Sequence, residues 1–393
     1  MSDNWKYCEL GNYCSVVNGS TPKTGIDEYW NGNIIWITPT DLGKNKNKYI
    51  FNSERKITKE GYNSANTTII GKNNIILSTR APIGHIAINN VEACTNQGCK
   101  SILPNKEIDV NFLYYYLKFN KDELNKLGSG TTFNELSTSS LMSFIIPVPP
   151  LEEQERIIKI IETKLTAVDK AKIANSEQVV NCDLLKSKLY EKIFEKYQNE
   201  LVTIDSICND ISDGTHFTPN YVTHGIPFLS VKDLTKGYIS FDDCRYIDIE
   251  EHQKLIKRCN PQYGDVLYTK VGTTGVAKAV DVENDFSIFV SVALLKLKDN
   301  ISSSFVEKSL NLPFCKKQAE KLTQGATNKN LVIKDLKTIK LFCPEYSEQI
   351  KIVKILENID NSFKKLNMSL NEQSSYISAL PSSILRKAFN GDY

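Results

Sequence analysis

The sequence predicts an α+β fold in which two β-rich domains are separated by two long helices, packed as an antiparallel coiled coil with pseudo-twofold symmetry. The first observation behind this prediction is an internal repeat. Residues 149–194 and 344–389 align without a gap at a step of 195 residues and agree at 14 of 46 positions. The second observation is a heptad pattern in both copies, and the third is a β-rich segment before each copy. A repeat of this length indicates a duplicated domain with its helix rather than a solenoid unit.

The repeat divides the chain into four predicted segments. They are a β-rich domain at 1–148, a long helix at 149–200, a second β-rich domain at 201–343 and a C-terminal long helix at 344–393. Short β-branched runs broken by Gly, Asn and Pro predict the strands of both domains. The second domain repeats the order of the first, since residues 226–233 echo 34–41, residues 265–279 echo 74–88, and a predicted helix at 305–319 matches one at 109–120.

Apolar residues recur in the second long helix at alternating steps of four and three, which is typical of a coiled-coil seam. The same positions of the first helix form a weaker seam, because Lys164, Asn175 and Gln178 interrupt it. The predicted apolar seam positions are Ile157, Ile161, Val168, Leu185 and Leu189 in the first helix, and Ile352, Leu356, Ile359, Phe363, Leu366, Leu370, Ile377, Leu380 and Ile384 in the second. A helix of about 45 residues is roughly 65 Å long and cannot bury such a stripe alone. Two matching helices in one chain favour pairing with each other; the alternative is that each packs on its own domain.

Composition narrows the class of protein. The chain has 393 residues, a formal net charge of +2 and ten cysteines without a Cys-x-x-Cys pair. It contains no run of 18 apolar residues, and its first ten residues lack the pattern of a signal peptide, so we expect a cytoplasmic protein without a membrane partner. Scattered cysteines in such a protein predict reduced, mostly buried thiols and no metal site.

Catalytic motifs are absent from the sequence, and we therefore predict no catalytic residues. No phosphate-binding loop of the Gly-x-x-x-x-Gly-Lys type occurs. The segment Asn311–Phe314 lacks the middle proline of the Asn-Pro-Pro-Phe motif of adenine methyltransferases, and no Gly-rich cofactor loop precedes it. The nearly neutral charge means that any DNA binding rests on local basic patches or on a partner that supplies phosphate contacts.

Two stretches of the chain carry a family resemblance. The first contains Gly128-Ser-Gly-Thr-Thr132, Leu136, Leu141 and the segment 145–154, IIPVPPLEEQ, before a long helix. These features recur as Gln324-Gly-Ala-Thr327, Leu331, Leu336, Cys343-Pro344 and Glu348-Gln349, with Glu345-Tyr346-Ser347 in place of Pro-Leu-Glu. This pattern, which covers essentially the whole chain, resembles the specificity subunits of type I restriction–modification systems.

The resemblance implies a subunit that performs no chemistry and that contacts double-stranded DNA. Each domain would be a target-recognition domain for one half of a bipartite, non-palindromic sequence, and the helices would set the spacing between the halves. The resemblance also implies two methyltransferase subunits docked on the helices. They would methylate adenine with S-adenosylmethionine bound in those subunits, so this chain would bind no cofactor; a motor-nuclease subunit can join the complex. The alternatives are a stand-alone DNA-binding regulator and a coiled-coil scaffold that binds proteins.

Candidate DNA contacts in the first domain lie in four segments. The loop GKNKNKY offers Lys44, Lys46 and Lys48 to phosphates, although a solvated loop explains the same residues. Arg80 follows an apolar strand and precedes His85, and we take Lys270 as its counterpart in the second domain; the alternative is a surface ion pair. Further candidates are Asn96 and Gln97, whose side-chain amides could bind adenine; the alternative is a loop capped by Asx hydrogen bonds. Thr131 and Thr132 could bind phosphate, and the alternative for them is a plain turn.

The second domain offers similar side chains. They are His216, Lys232, Lys270, Thr273, Thr274, Lys278, Thr327, Asn328 and Lys329. The triplet Tyr114-Tyr115-Tyr116 could stack on bases, but its position in an apolar helical pattern favours packing in the core.

Overall fold

The computed structural model describes residues 5–80, 82–129, 134–323 and 330–392. The chain forms two compact units, and each unit contains a lobe together with part of both long helices. The first unit holds the chain up to Asn175 and again from Glu372, and the second unit runs from Ser176 to Asn371. The chain therefore passes from one unit to the other inside each long helix.

The described residues of the first lobe form ten short strands and five short α-helices. The strands are β1 (Lys6–Glu9), β2 (Cys14–Asn18), β3 (Trp30–Ile37), β4 (Tyr49–Ile50), β5 (Lys56–Ile57), β6 (Ile75–Ser78), β7 (Ile86–Asn89), β8 (Cys94–Thr95), β9 (Cys99–Pro104) and β10 (Ile145–Val148). The helices are α1 (Pro39–Lys44), α2 (Lys59–Ser64), α3 (Val110–Phe119), α4 (Lys121–Lys126) and α5 (Thr138–Met142). The first long helix, α6 (Leu151–Phe194), follows β10.

The second lobe follows a similar but not identical order. Its strands are β11 (Leu201–Thr203), β12 (Cys208–Asp213), β13 (Tyr221–Val222), β14 (Ile226–Leu229), β15 (Arg245–Ile247), β16 (Val266–Thr269), β17 (Ala277–Ala279), β18 (Ser287–Ile288), β19 (Val292–Leu297) and β20 (Lys340–Phe342). Its helices are α7 (Ile204–Ile207), α8 (Ile249–Leu255), α9 (Ser303–Leu310), α10 (Pro313–Leu322) and α11 (Ile333–Leu336), before the second long helix α12 (Tyr346–Asn390).

One predicted helix is two helices. The expected helix at 305–319 is broken at Leu312, whose backbone is extended (φ −65°, ψ 149°) and which precedes Pro313. Proline disfavours the α conformation in the residue before it, so α9 ends and α10 begins at this point.

Each lobe is built on two main sheets. In the first lobe these have the strand orders β2-β9-β6-β7-β4 and β5-β3-β8, and in the second β12-β19-β16-β17 and β13-β15-β14-β18. Helix α3 covers the first sheet, with Phe112 and Leu113 fully buried in its core. A separate antiparallel pair, β1 with β10 or β11 with β20, carries the chain to the start of each long helix.

A repeated glutamine joins each lobe to its long helix. The Gln154 side chain donates to the carbonyls of Pro149 (2.8 Å) and Glu107 (3.0 Å) and accepts from the amide of Asp109, the N-cap residue of α3 (2.8 Å). Gln349 repeats this contact by donating to the Pro344 carbonyl and accepting from the amide of Ser302, the N-cap of α9. Both glutamines are fully buried. The glutamine of the Glu-Gln pair that recurs in the sequence is thus a structural clamp.

The two long helices pack against each other in both units. In the first unit Val168 contacts Ile377 and Ile384, and in the second unit Cys182 contacts Phe363 and Leu370. As the residue number increases along α6, the number of the contacted residue in α12 decreases. This confirms the predicted antiparallel pairing of the two helices within each unit.

A repeated phenylalanine near the end of each long helix enters a lobe core. Phe389 packs in the first unit against Phe112, Tyr116 and Phe119, at ring-centroid distances of 5.5, 5.2 and 5.8 Å. Phe194 packs in the second unit against Phe305 and Phe342, at 5.7 and 5.6 Å. Each helix thus begins at the clamp of one lobe and ends in the core of the other unit.

The predicted seam is only partly correct. Most of its positions are buried or half-buried, but Leu185, Leu366 and Leu380 are 52%, 47% and 42% exposed. In the middle of the helix pair, only one of the two seam positions in each heptad is buried, in α6 and in α12 alike. The second seam position of the heptad in α6 is occupied in part by the polar residues Lys164 and Gln178, which are both exposed. This side of α6 therefore offers no continuous apolar surface to cover these leucines.

Asp360 of α12 ties three helices together in the second unit. It accepts hydrogen bonds from Lys186 of α6 (2.6 Å), Tyr190 of α6 (2.5 Å) and Lys308 of α9. Burial alone would raise the pKa of this carboxyl, but these three donors lower it to about 2.

All ten cysteines are free thiols, and eight of them are buried. Burial raises the pKa of most of them, for example that of Cys14 to about 12, which keeps the thiols protonated and unreactive. Among the residues that the structure describes, no helix combines the length and the apolar character needed to span a bilayer.

Candidate nucleic-acid interface

Three loops of the first lobe meet at one end of its sheets. The loop after β2 is bonded through the Gly19 amide to the Cys99 carbonyl (3.3 Å) and through the Ser20 amide to the Thr95 carbonyl (2.9 Å). The turn after β6 joins them through the Thr79 amide, which donates to the Gly98 carbonyl (2.8 Å). The Leu136 amide brings a fourth segment to the Thr79 carbonyl (2.9 Å). We call this surface the loop end of the first lobe.

The second lobe has the same loop end. The Gly214 amide donates to the Val292 carbonyl (3.3 Å), and the Lys270 amide donates to the Ser291 carbonyl (2.9 Å). The Leu331 amide donates to the Lys270 carbonyl (2.8 Å), as Leu136 does to Thr79. Arg80 and the pair Asn96–Gln97 in the first lobe, and Lys270 and His216 in the second, therefore lie on or beside equivalent surfaces, as loops positioned by a rigid scaffold commonly do.

The predicted equivalence of Arg80 and Lys270 is wrong by one residue. Leu136 bonds to Thr79 where Leu331 bonds to Lys270, so Lys270 occupies the position of Thr79. The neighbouring β-bridges agree, because Arg80 pairs with Glu135 where Val271 pairs with Asn330. The turns are equivalent, but the cations differ in position and in environment.

The basic loop of the first lobe is largely occupied by internal contacts. Lys44 forms an exposed ion pair with Glu54, and Lys46 donates to the Gly43 carbonyl (3.2 Å). Lys48 is 17% exposed and binds Glu162 of α6 at 2.5 Å, over the ring of Tyr115. A lysine held in this way supports the packing of the lobe on its helix. The proposed phosphate contact of the loop stays a prediction for Lys44 and Lys46 in particular.

The other candidates of the first lobe lie at its loop end. Asn96 accepts from the Gly98 amide (2.9 Å), which is the Asx-type turn that the sequence left open. Gln97 is exposed and accepts from Thr21 of the loop after β2. His85 lies 3.5 Å from the Pro39 carbonyl. Their roles toward DNA stay predictions.

Lys100 is a buried cation that sequence reasoning missed. Only 6% of it is exposed, and it donates to the Asn18 side chain (2.9 Å), which also accepts from Thr138. Burial lowers the pKa of Lys100, and the nearby Glu135 carboxylate offsets part of this effect. Lys100 lies in an apolar strand, and nothing in the sequence around it indicates that this one lysine is buried and bound to Asn18.

The second loop end is organised by the buried carboxylate of Asp213. Lys270 lies 3.1 Å from it, Arg258 2.5 Å and His216 3.2 Å. Asp213, Arg258 and Lys254 line a cavity of about 150 Å³. Arg258 was not predicted, because it is more than 40 residues from the carboxylate in sequence. Asp213 ends β12 as Asn18 ends β2, so one position carries a charge in one lobe and an amide in the other.

The remaining candidates of the second lobe vary in exposure. Lys278 is 12% exposed and bound to Glu307 and Asp281, both at 3.2 Å, so it supports the packing of β17 on α9. Lys232 donates to the Asp243 carbonyl (2.8 Å), Thr273 is exposed, and Thr274 bonds to Thr323 (3.2 Å). Thr131, Thr132, Thr327, Asn328 and Lys329 lie outside the described residues.

The tyrosine triplet belongs to the core, as predicted. Tyr114 and Tyr115 are 2% and 5% exposed, and their rings meet edge to face at 5.2 Å. Tyr116 packs against Phe389.

The fold and these surfaces define a class: a duplicated, two-headed protein whose candidate binding surfaces are the loop ends of two related lobes. The comparison with protein families identifies it more closely. The chain belongs to the family described as the type I restriction modification DNA specificity domain, which matches residues 2–181 and 189–373.

Two curated relatives agree with this assignment. The chain is 32% identical over 256 residues to the type I restriction enzyme MjaIX specificity subunit of Methanocaldococcus jannaschii, covering 60% of this chain and 59% of that protein. It is 25% identical over 320 residues to the EcoKI specificity subunit of Escherichia coli, covering 75% of this chain and 68% of the relative.

The fold is shared with the crystal structure of the HsdS subunit from Thermoanaerobacter tengcongensis (TM-score 0.62, 19% identity), over 100% of this chain and 98% of that one. A chain from a study of complex assembly and conformational transition of the type I R-M system is also similar (TM-score 0.70, 20% identity), over 100% and 99%.

Proposed function

We propose that this chain is the non-catalytic subunit that gives a type I restriction–modification complex its DNA sequence specificity. Each lobe reads one half of a bipartite, non-palindromic target through its loop end. The two long helices set the distance between the halves and dock two methyltransferase subunits, which methylate adenine. A restriction and translocation subunit is a further partner of the same complex.

The observation that carries this proposal is that the same loop end occurs twice with different side chains. The first loop end has the uncharged Asn18 beside Lys100, whereas the second has the carboxylate of Asp213 beside Lys270, Arg258 and His216. Phosphate contacts position a protein on DNA, and groove contacts from such loops specify the sequence. Two scaffolds of one type with different loop chemistry therefore favour two different half-sites.

The long helices offer a docking surface in each unit. In the first unit Ile173 and Tyr376 are 61% and 67% exposed. In the second unit the exposed apolar residues of the two helices include Val180, Leu184, Leu185, Leu366 and Met368. Exposed apolar side chains on both long helices of each unit are available for contact with a partner, which supports docking of two methyltransferase subunits.

S-adenosylmethionine belongs to the methyltransferase subunits in this proposal, and this chain contributes no cofactor site. We place the complex in the cytoplasm, together with its DNA substrate. The near-neutral charge of the chain fits this division of labour, because phosphate neutralisation supplies most non-specific DNA affinity and the partners can provide it.

The test is to purify the chain with the methyltransferase encoded beside it and to map methylated adenines after reaction with DNA of many sequences. We expect a split, asymmetric motif with one methylated adenine on each strand. A palindromic or continuous motif would contradict the proposal that the two lobes recognise different half-sites. Tight, specific binding by this chain alone would instead favour a stand-alone regulator.

A further inference from the structure

The guanidinium of Arg55 in the first lobe lies over an aromatic ring. Its guanidinium carbon is 3.6 Å from the centroid of the Trp30 ring and 5.8 Å from that of Trp36. The two tryptophan rings meet edge to face at 5.1 Å. Arg55 itself is exposed. A guanidinium at this distance is held by cation–π attraction, and the exposure of the side chain leaves N–H donors open to a ligand.

Arg245 of the second lobe makes the same kind of contact. Its guanidinium carbon is 4.3 Å from the centroid of the Tyr221 ring, which lies 5.9 Å from the ring of Phe228. Arg245 is also exposed.

The strand registers show that these arginines are equivalent. In the first lobe Trp30 and Ile34 both lie opposite Ile57, and Arg55 is two residues before it. In the second lobe Tyr221 and Ile226 both lie opposite Ile247, and Arg245 is two residues before it. Trp30 thus corresponds to Tyr221 and Arg55 to Arg245. Unlike Arg80 and Lys270, these two cations occupy the same position in both lobes.

Neither guanidinium is neutralised within the described part of the chain. No carboxylate among the described residues forms an ion pair with Arg55 or Arg245, whereas Lys44, Lys48, Arg258 and Lys270 each have one. A guanidinium has five N–H donors in a planar fork that fits the oxygens of a phosphate two at a time.

Both arginines adjoin the loop end of their lobe. In the first lobe the Trp36 indole donates to the Ser20 carbonyl (3.0 Å), in the loop that also bonds to Gln97. In the second lobe Phe228 contacts the ring of Phe289 at 6.1 Å, and Phe289 is bridged to Thr215 at the loop end.

We propose that Arg55 and Arg245 are the equivalent DNA-backbone contacts of the two lobes, each binding one phosphate through the edge of its guanidinium. This inference rests on the proposed function, in which both lobes bind DNA. The loop ends differ because they read different bases. A side chain that is the same in both lobes suits the part of DNA that is the same in both half-sites, which is the phosphate backbone.

The experiment uses the complex of this chain with its methyltransferase and the DNA target that the complex methylates. The variants are Arg55→Ala, Arg245→Ala and, to keep a side chain over the ring without its charge, Arg55→Met and Arg245→Met. Lys72→Ala and Lys340→Ala are matched controls, since each removes one exposed positive charge elsewhere on the corresponding lobe.

Each arginine variant should bind the target about 10- to 150-fold more weakly, as for a lost charged hydrogen bond. The slope of log K against log salt should fall by about 0.9, as for one lost phosphate contact. The methylated motif should keep the same bases. The control variants should change neither affinity nor slope by comparable amounts.

Two results would overturn the inference. Affinity and salt slope equal to those of the controls in the methionine variants would show that the arginines only cover the aromatic rings. A motif relaxed at one base would show that the arginine reads that base. Both results leave the proposed function intact, whereas a wild-type complex without a split motif would reject the function itself.

Discussion

Replacement of Asp213 by alanine tests how the second lobe is held together at its loop end. The carboxylate has Arg258, Lys270 and His216 within 3.2 Å. The side chains of Asp213 and Lys270 are 7% and 5% exposed, so solvent cannot take the place of the lost carboxylate. Removing one partner of a buried ion pair costs about 3–5 kcal/mol. We expect Asp213→Ala to destabilise the second lobe by this amount.

The double variant Asp213→Ala, Lys270→Met isolates the cause. Methionine removes the unpaired ammonium and retains an unbranched apolar chain, and buried ion pairs replaced by apolar side chains are often neutral in stability. We therefore expect the double variant to recover most of the loss that the single variant shows.

Hydrogen exchange followed by mass spectrometry of peptides is the suitable assay, because it reports each lobe separately. The expected loss corresponds to about two to three and a half orders of magnitude in the protection of amides in β12, β16 and β19. The amides of β2, β6 and β9 in the first lobe serve as an internal control. Unchanged protection in the single variant, or no recovery in the double variant, would refute the electrostatic reasoning.

Three further predictions concern the helices. Gln154→Ala should lower the free energy of unfolding by about 1–3 kcal/mol, because the N-cap amide that it satisfies is left unpaired; thermal unfolding checks this against the exposed Gln178→Ala, and equal melting temperatures would contradict it. Asp360 has its pKa lowered from 3.8 to about 2, so its contacts stabilise the fold above pH 4 and this contribution is lost as the pH falls from about 4 to about 2. Melting temperatures of the wild type and Asp360→Asn should therefore converge over this range, and a constant difference would exclude the linkage. Leu370→Ala should cost about 2–5 kcal/mol because the residue is buried, whereas Leu366→Ala should stay within about 0.5 kcal/mol but weaken co-purification of the methyltransferase. Retention of the partner at wild-type levels by Leu366→Ala would argue against docking at this position.

The repeat made the architecture predictable from the sequence. Heptad spacing identified both long helices and their pairing, because burial of an apolar stripe by a partner is a direct consequence of helix geometry. It did not reveal that Leu185, Leu366 and Leu380 stay exposed, since a stripe in one helix is covered only if the facing residues of the other are apolar too. Burial of the tyrosine triplet followed from its helical apolar pattern.

The candidate interface was less predictable, because it depends on register and on contacts distant in sequence. Matching one cation to another in the sequence made Arg80 the equivalent of Lys270. The hydrogen bonds show that the residue equivalent to Lys270 is Thr79. The aromatic partners of Arg55 and Arg245 are 25 and 24 residues away from them in sequence, and only the strand pairing brings each pair together. Lys48 and Lys278 looked like free cations in the sequence and are bound to carboxylates in the fold.

The insertion of Phe389 into the first lobe has a consequence for the order in which a ribosome-bound chain can mature. Its ring partners Phe112 and Phe119 leave the ribosome about 270 residues before Phe389 does. At synthesis rates of about 5–20 residues per second, the core around Phe112 and Phe119 lacks the Phe389 ring for on the order of 15–50 s. Phe194, by contrast, emerges before its partners Phe305 and Phe342. The half of the protein made first is therefore the half completed last.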